Sequence, residues 1–200
     1  MSKAGVRVVL FDVMDTLVVD PFFAGIEGFF GCDRASLLRG LAPGVWPRFE
    51  TGELSAAQFY GAMFRDERTV DGDALEAYLR GRYRMIDGVL PLVQALAGRE
   101  IPLAALSNYP IWWRMVAETT PLGELLDWSH VSCETGVRKP DAQAYLGACT
   151  RLGAAPQEAL LVDDREENCE AARSLGLHAH RFVDAAGLAE ALQAHGLLGR

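Results

Sequence analysis

The sequence predicts an α/β protein, built as a doubly wound parallel sheet with an all-helical insertion. From Gly88 onward, apolar strands alternate with helical segments of about 10–15 residues, which is typical of parallel βαβ units. From Pro21 to Asp87, by contrast, the apolar positions have helical spacing and few β-branched runs. Three predicted strands end in polar residues, so one edge of the sheet should carry the functional groups.

The first strand is predicted over Val6–Val13, where an uninterrupted apolar run ends in Asp12. Strands that are buried on both faces of a parallel sheet carry such runs. Asp15 and Thr16 follow closely. Because ligands bind at the carboxyl edge of open α/β sheets, Asp12 is a candidate site residue, although an ordinary strand end with a helix-capping Asp has the same pattern.

The helical insertion follows this strand directly and should contain roughly four helices standing over the sheet edge. Asp33 and Ser55 are predicted N-caps, because their side chains can accept a free backbone N–H of the first turn. The aromatic residues of the insertion lie at helical spacing, which favours a bundle core over ligand contacts.

The remaining elements complete the α/β alternation. Strands are predicted at IPLAALSN, WSHVSC, EALLVDD and HAHRFV, and helices at Val89–Ala97, Trp112–Thr119, DAQAYLGACTRLG and ENCEAARSLG. The helix of DAQAYLGACTRLG should end at Gly153.

The composition excludes several classes of partner. A formal net charge of −8 argues against nucleic acid and against an anionic membrane. No run approaches the ~18 uninterrupted apolar residues of a membrane span, and no separate apolar segment precedes the first strand. The cysteines are scattered without metal-binding spacing, so we expect a cytoplasmic protein with reduced thiols. The oligomeric state stays open.

Polar side chains should meet at the carboxyl edge of the sheet. They are Asp12, Ser107, Asn108, Lys139, Asp163 and Asp164. Carboxylates packed so closely repel one another unless a cation intervenes, and Asp12, Asp163 and Asp164 form a good oxygen-ligand set for Mg²⁺. The other three would offer hydrogen-bond donors and positive charge to an anionic group. Lys139 is one of two lysines against 17 arginines, which suggests a need for a compact ammonium group.

The order of these residues resembles the four motifs of the haloacid dehalogenase-like (HAD) hydrolase superfamily. The motifs are Asp12…Thr16, Ser107, Lys139-Pro140-Asp141 and Asp163-Asp164, and the resemblance extends over essentially the whole chain. It implies a Rossmann-like core of residues 1–17 and 88–200, with residues 18–87 as a helical cap. It also implies Mg²⁺-dependent hydrolysis of a small phosphorylated or other anionic substrate.

The same resemblance implies a role for each site residue. Asp12 would be the nucleophile and would form an aspartyl-phosphate. Thr16, Ser107 and Lys139 would hold the phosphoryl oxygens, and Lys139 would also restrain Asp12. Asp164 would bind Mg²⁺ together with Asp12 and the backbone carbonyl of Met14, and Asp163 would support that metal site.

The sequence departs from the phosphatase pattern at Met14, where the family usually carries a second Asp that protonates the leaving alcohol and later activates water. A thioether cannot transfer protons, and positioned general acid–base catalysis typically contributes ~10²–10⁴-fold. We therefore predict that activity favours good leaving groups, such as acyl or aryl phosphates. Asp15 stands where the family carries Gly. It could substitute for the missing acid, but a side chain one residue further along the turn should point elsewhere.

Two alternatives stay open. Met14 favours a non-catalytic HAD fold that binds a phosphorylated ligand or a protein partner. A 2-haloacid dehalogenase also lacks the second Asp, and Tyr145 after Lys139 fits its pattern, but dehalogenases carry Tyr at position 14 and small polar residues in place of the acidic pair. A phosphonoacetaldehyde hydrolase is excluded, since residues 18–87 contain no Lys for a Schiff base.

Overall fold

Four parallel strands form one sheet in the computed structural model, which describes residues 5–199. The strands are β1 (Val8–Phe11), β2 (Leu103–Ala105), β3 (Ala159–Asp163) and β4 (His178–Arg181), in the spatial order β2-β1-β3-β4. All three pairings are parallel. The predicted doubly wound, Rossmann-like α/β fold is confirmed.

The strand register brings the predicted site residues to one edge. β1 and β3 are buried along their whole length, as their continuous apolar runs indicate. Phe11 lies opposite Val162 on one side and Ala105 on the other. The Asp12 N–H donates to the Val162 carbonyl at 2.9 Å, so Asp12 and Asp163 leave the sheet side by side.

Helices fill both the insertion and the crossovers. Between β1 and β2 lie α1 (Glu27–Phe30), α2 (Arg34–Gly40), α3 (Val45–Glu50), α4 (Ala56–Ala62), α5 (Gly72–Arg80) and α6 (Val89–Ala97). After β2 lie α7 (Trp113–Thr119), α8 (Leu122–Leu125), α9 (Ser132–Thr135), α10 (Ala142–Arg151), a 3₁₀ turn (Pro156–Glu158), α11 (Glu166–Ser174) and α12 (Ala185–Ala194). Within residues 5–199 the helices are too short or too polar to cross a bilayer.

The two predicted N-caps in the insertion are confirmed. The Asp33 side chain accepts the Ser36 N–H at 2.9 Å at the start of α2. Ser55 and Gln58 form a reciprocal capping box at the start of α4.

The two ends of the helical insertion (residues 18–87) leave the core side by side. Val18 forms an antiparallel bridge with Met85, and the Val19 N–H donates to the Arg84 carbonyl at 3.0 Å. Aromatic residues of the insertion and Trp112 of the core belong to one continuous hydrophobic cluster. The insertion is therefore joined to the core both at this stem and through a packed apolar face.

The strand predicted at WSHVSC is wrong. Of this region only Asp127 joins the sheet, by a single parallel bridge to Ala104 beside β2. The Asp127 side chain accepts the Ser129 N–H at 2.9 Å, which turns the chain immediately, and α9 begins at Ser132. The Ser132 hydroxyl then donates to the Glu50 carbonyl of the insertion.

Gly52 of the insertion lies against the backbone of Cys133 in the core. Its φ is +72°, and a Cβ at this position would lie 2.5 Å from the Cys133 carbonyl oxygen. Gly44 has nearly the same φ, +71°, but a Cβ there would meet nothing within 4 Å. A comparison of substitutions at Gly52 and Gly44 therefore separates the cost of a positive φ, which both share, from the cost of steric overlap, which only Gly52 has.

We expect Gly52→Ala to lower the free energy of unfolding by about 1–3 kcal/mol more than Gly44→Ala, because only the first change forces the two backbones apart. Urea unfolding of the two variants measures the difference. Equal losses would mean that the insertion and the α9 region do not approach as closely as described.

Candidate active site

A cavity of about 140 Å³ opens at the carboxyl edge of the sheet, beneath the helical insertion. The core lines it with Asp12, Met14, Asp15, Asn108, Lys139 and Asp164, among others. The insertion contributes Asp20, Phe23 and Glu50. Typical small-molecule sites measure about 300–1,000 Å³, so this cavity suits a phosphoryl-sized group rather than a whole large ligand.

Lys139 joins two carboxylates at the bottom of this cavity. Its Nζ lies 2.9 Å from Asp12 Oδ1 and 2.6 Å from Asp163 Oδ2. The Lys139 side chain is 1% exposed, so this ammonium group is held in place by its two ion pairs. The Ser107 hydroxyl donates to the same Asp12 oxygen at 3.1 Å.

Asp163 is fully buried, and both of its carboxylate oxygens are occupied. Oδ2 accepts from Lys139, while Oδ1 accepts the Arg165 N–H at 2.9 Å. The Asn168 side-chain amide donates to both oxygens, at 3.0 and 3.1 Å. Asp163 is thus arranged to hold Lys139 in position, and Asn168 is a partner that the sequence did not reveal.

The Thr16 hydroxyl forms hydrogen bonds with Asp12 of the first motif and with Asp164 of the fourth. It donates to Asp12 Oδ2 at 3.4 Å and accepts the Asp164 N–H at 3.2 Å. The Asp164 carboxyl group is half-buried and faces the cavity. Burial, followed by the charge of Asp163, raises the pKa of Asp164 above its ordinary value.

Asn108 contacts the backbone of Lys139 rather than Asp12. Its side-chain amide nitrogen donates to the Lys139 carbonyl at 2.8 Å, and its side-chain oxygen accepts the Lys139 N–H at 2.7 Å. These two bonds use one donor and the acceptor of the amide, so the main contribution of Asn108 is to fix the loop that presents Lys139.

Opposing effects set the protonation of this cluster. Burial raises the pKa of Asp12 to about 7, although Lys139 favours the ionised form. Burial alone would lower the pKa of Lys139, but the charges of Asp12 and Asp163 outweigh it and raise that pKa. A cation near the carboxylates would shift Asp12 further toward the ionised form that a nucleophile requires.

The acidic cluster fits a hard divalent cation. Carboxylate oxygens of Asp12, Asp163 and Asp164 all lie within 4.8 Å of one another. Oxygen-only donors of this kind suit Mg²⁺, which takes one or two carboxylates and completes its shell with water and phosphate oxygens. Since Asp163 is already saturated with hydrogen bonds, Asp12 and Asp164 are the better candidates for direct ligands.

The turn after β1 places Met14 and Asp15 at the mouth of the cavity. Asp15 has a φ of +57°, a conformation that Asp tolerates better than most residues other than Gly. Its N–H donates to the Val18 carbonyl at 2.7 Å, and its exposed side chain accepts the Asp20 N–H at 3.1 Å. The orientation of Asp15 away from the acid position stays a prediction, since both Met14 and Asp15 line the cavity.

Two cavity residues from the insertion have no counterpart in the sequence-based set. Glu50 accepts from Trp46 Nε1 at 2.7 Å and lies 2.6 Å from Arg138 Nη2. Asp20 is buried, and its Oδ1 accepts the Phe22 N–H at 2.8 Å. Glu50 and Asp20 reach the cavity only because the insertion folds over the edge of the sheet, so no local sequence pattern predicted them as site residues.

Tyr145, which the dehalogenase alternative uses, lies elsewhere. It donates to the Asn168 carbonyl at 3.1 Å within a separate hydrophobic cluster.

Comparisons with known proteins identify the family of this chain. Residues 6–176 match the family described as haloacid dehalogenase-like hydrolase. The chain is 35% identical over 195 residues to flavin mononucleotide hydrolase 1 of Arabidopsis thaliana, covering 98% of this chain and 80% of that protein. It is 25% identical over 159 residues to the sesquiterpene phosphatase astK of Aspergillus oryzae, covering 78% and 80%.

A solved structure also has this fold. It is a HAD family enzyme from Bacteroides thetaiotaomicron, crystallised in complex with magnesium and inorganic phosphate. It superposes with a TM-score of 0.72 at 21% identity, covering 90% of this chain and 96% of that one.

Proposed function

The chain belongs to the haloacid dehalogenase-like hydrolase family, and we propose that it is a Mg²⁺-dependent phosphomonoesterase with Asp12 as its nucleophile. One observation carries the proposal. The Asp12 carboxylate is fixed by Lys139 and Ser107 in a phosphoryl-sized cavity that a second, metal-compatible carboxylate, Asp164, also lines.

In the proposed reaction, an Asp12 oxygen attacks phosphorus and the bond to the leaving alcohol breaks, giving an aspartyl-phosphate that water then hydrolyses. Lys139, Ser107 and Thr16 hold Asp12 and offer donors to the phosphoryl oxygens. Asp12 and Asp164 would hold Mg²⁺, which supplies charge neutralisation at these oxygens.

Flavin mononucleotide is the first substrate that we propose, because the Arabidopsis relative named for its hydrolysis covers almost the whole chain. A cavity of about 140 Å³ accommodates the phosphate and the adjoining part of the ribityl chain, so the flavin ring would lie outside it. Phe23 and Glu50 of the insertion line the same cavity.

Met14 is the specific observation that favours the non-catalytic alternative, a protein that binds a phosphorylated ligand without turnover. The dehalogenase alternative would place a substrate carboxylate beside Asp164 and Asp163, a like-charge contact without a metal. Phosphate esters should therefore be assayed as substrates before haloacids.

We expect p-nitrophenyl phosphate and flavin mononucleotide to be hydrolysed in the presence of Mg²⁺ and not after EDTA treatment. Asp164→Asn removes one of the two best ligand candidates, so it should raise the Mg²⁺ concentration required for half-maximal rate by at least ~10-fold. Phosphate release, measured across a Mg²⁺ titration, gives both results.

Turnover that survives EDTA would contradict the metal-dependent mechanism. Binding of inorganic phosphate by calorimetry, without turnover of either ester, would support the non-catalytic alternative instead.

A further inference from the structure

Asp20 is a buried carboxyl group in the active-site cavity that the reaction described above does not use. It follows the Val18–Met85 bridge by two residues, is 4% exposed and shares the cavity lining with Asp12 and Met14. Aspartate is rarely this buried without a charged partner, so the burial of Asp20 requires an explanation.

The proposed reaction lacks a proton donor. A primary alkyl phosphate such as flavin mononucleotide expels a strongly basic alkoxide, and this departure needs a proton from a positioned acid. Met14 occupies the position from which the resemblance predicts that acid, and its thioether cannot supply a proton. A second carboxyl group in the same cavity can.

We propose that Asp20 is the general acid and base of this active site, taking the place of the missing carboxyl group at position 14. The inference rests on the proposed phosphatase function. It adds the residue that would allow the enzyme to hydrolyse alkyl phosphate esters. It changes the expectation drawn from Met14 alone, under which esters with good leaving groups would be favoured.

Asp20 would transfer one proton in each of the two steps. As Asp12 attacks and the bond from phosphorus to the leaving oxygen breaks, neutral Asp20 gives its proton to that oxygen, and the alcohol departs. Ionised Asp20 then takes a proton from the attacking water while the bond from phosphorus to Asp12 breaks. Inorganic phosphate is released, and Asp20 is again neutral.

The local geometry holds Asp20 firmly. Its Oδ1 accepts the Phe22 N–H at 2.8 Å, and its own N–H donates to Asp15 Oδ1 at 3.1 Å. Burial raises the pKa of Asp20 to about 7, and the charges of Asp15 and Asp12 act in the same direction. The neutral form that an acid requires is therefore available near neutral pH.

The other carboxyl groups at the cavity mouth are less suited to this role. Both carboxylate oxygens of Glu50 are already occupied, one by Trp46 Nε1 and the other by Arg138, although burial raises the pKa of Glu50. Asp15 is exposed to solvent, and its Oδ1 accepts the Asp20 N–H. The competing explanation for Asp20 is structural, since its bond to the Phe22 N–H caps the turn that follows.

The test is Asp20→Asn, because an amide oxygen still accepts the Phe22 N–H while the group can no longer transfer a proton. We expect kcat/KM for an alkyl phosphate to fall by ~10²–10³-fold and that for p-nitrophenyl phosphate by less than ~10-fold. Asp33→Asn, the same change at the exposed N-cap of α2, should leave the ratio of the two values as in the wild type. Adding Met14→Asp to Asp20→Asn should restore alkyl ester hydrolysis.

The pH profile gives a second readout. In the wild type, kcat/KM for the alkyl ester should fall as pH rises through the pKa of Asp20, because the proton is lost; this limb should vanish in Asp20→Asn. Other titratable or charged groups that line the cavity or interact electrostatically with Asp20 are present in both proteins. They are Asp12, Asp15, Glu50, Tyr83, Tyr109, Lys139, Asp164 and Arg165.

Equal losses on both esters, with an unchanged pH profile, would overturn the proposal and assign Asp20 a structural role. No loss on either ester would overturn it as well. A wild type that hydrolyses neither ester with Mg²⁺ would overturn the phosphatase function itself, which separates the two failures.

Discussion

Replacing Lys139 with methionine should lower the free energy of unfolding by about 3–5 kcal/mol, because the change strands two buried carboxylates. Lys139 Nζ lies within 2.9 Å of Asp12 and 2.6 Å of Asp163, and Asp163 is completely buried. Methionine fills a similar volume, so the loss would come from electrostatics rather than from a cavity. Urea unfolding without metal measures it.

The loss should also depend on pH. Burial raises the pKa of Asp12 to about 7, so in the metal-free protein this carboxylate is ionised only above that pH. Removing its positive partner therefore costs more as pH rises through 7 and less as pH falls below it.

Arg80→Met is the matched control. Arg80 Nη1 and Glu118 Oε2 are also 2.6 Å apart, but their side chains are 45% and 60% exposed. An exposed pair of this kind contributes about 0–1 kcal/mol, so the control should unfold almost like the wild type. If both changes cost the same, Lys139 would not be the electrostatic centre of the site.

Asp12→Asn is expected to lower phosphomonoesterase turnover by at least ~10⁴-fold, since an amide cannot form the aspartyl-phosphate. The substitution keeps the size of the side chain and an oxygen that can accept from Ser107 and Lys139. It should therefore leave the fold intact.

Covalent labelling distinguishes loss of the nucleophile from a general loss of activity. Radiolabelled acetyl phosphate, which needs little help in leaving, should label the wild type after an acid quench and leave Asp12→Asn unlabelled. Asp20→Asn should still become labelled, because it retains the nucleophile. Labelling of Asp12→Asn at the wild-type level would assign the nucleophile to another residue.

The elements that could be predicted from the sequence are those whose patterns are local. β1 and β3 are continuous apolar runs that end in carboxylates, and parallel pairing necessarily brings Asp12 and Asp163 to one edge. The helix caps at Asp33 and Ser55 depend on partners three residues away. In such cases a short segment of the sequence contains both partners of the interaction or the complete hydrophobic pattern.

The rest depends on contacts between distant segments. WSHVSC alternates like a strand, yet Ser132 bonds to a carbonyl of the insertion and α9 forms instead. Asn108 is bound to Lys139, 31 residues away, in a way that the strand end alone does not predict. Asp20 and Glu50 reach the cavity only because the insertion folds back over the sheet. Burial of this kind is not a property of a local sequence window.

The paired ends of the insertion also bear on how such a protein diversifies. Because the chain enters and leaves through adjacent backbone at Val18 and Met85, the segment between them can change in length without altering the strand register that aligns Asp12 with Asp163. New substrates can then be acquired by replacing that segment, provided that its apolar contact with Trp112 is kept. Asp20 lies inside this replaceable segment. A proton donor at Asp20 would therefore be replaced together with the part of the insertion that contacts the leaving group.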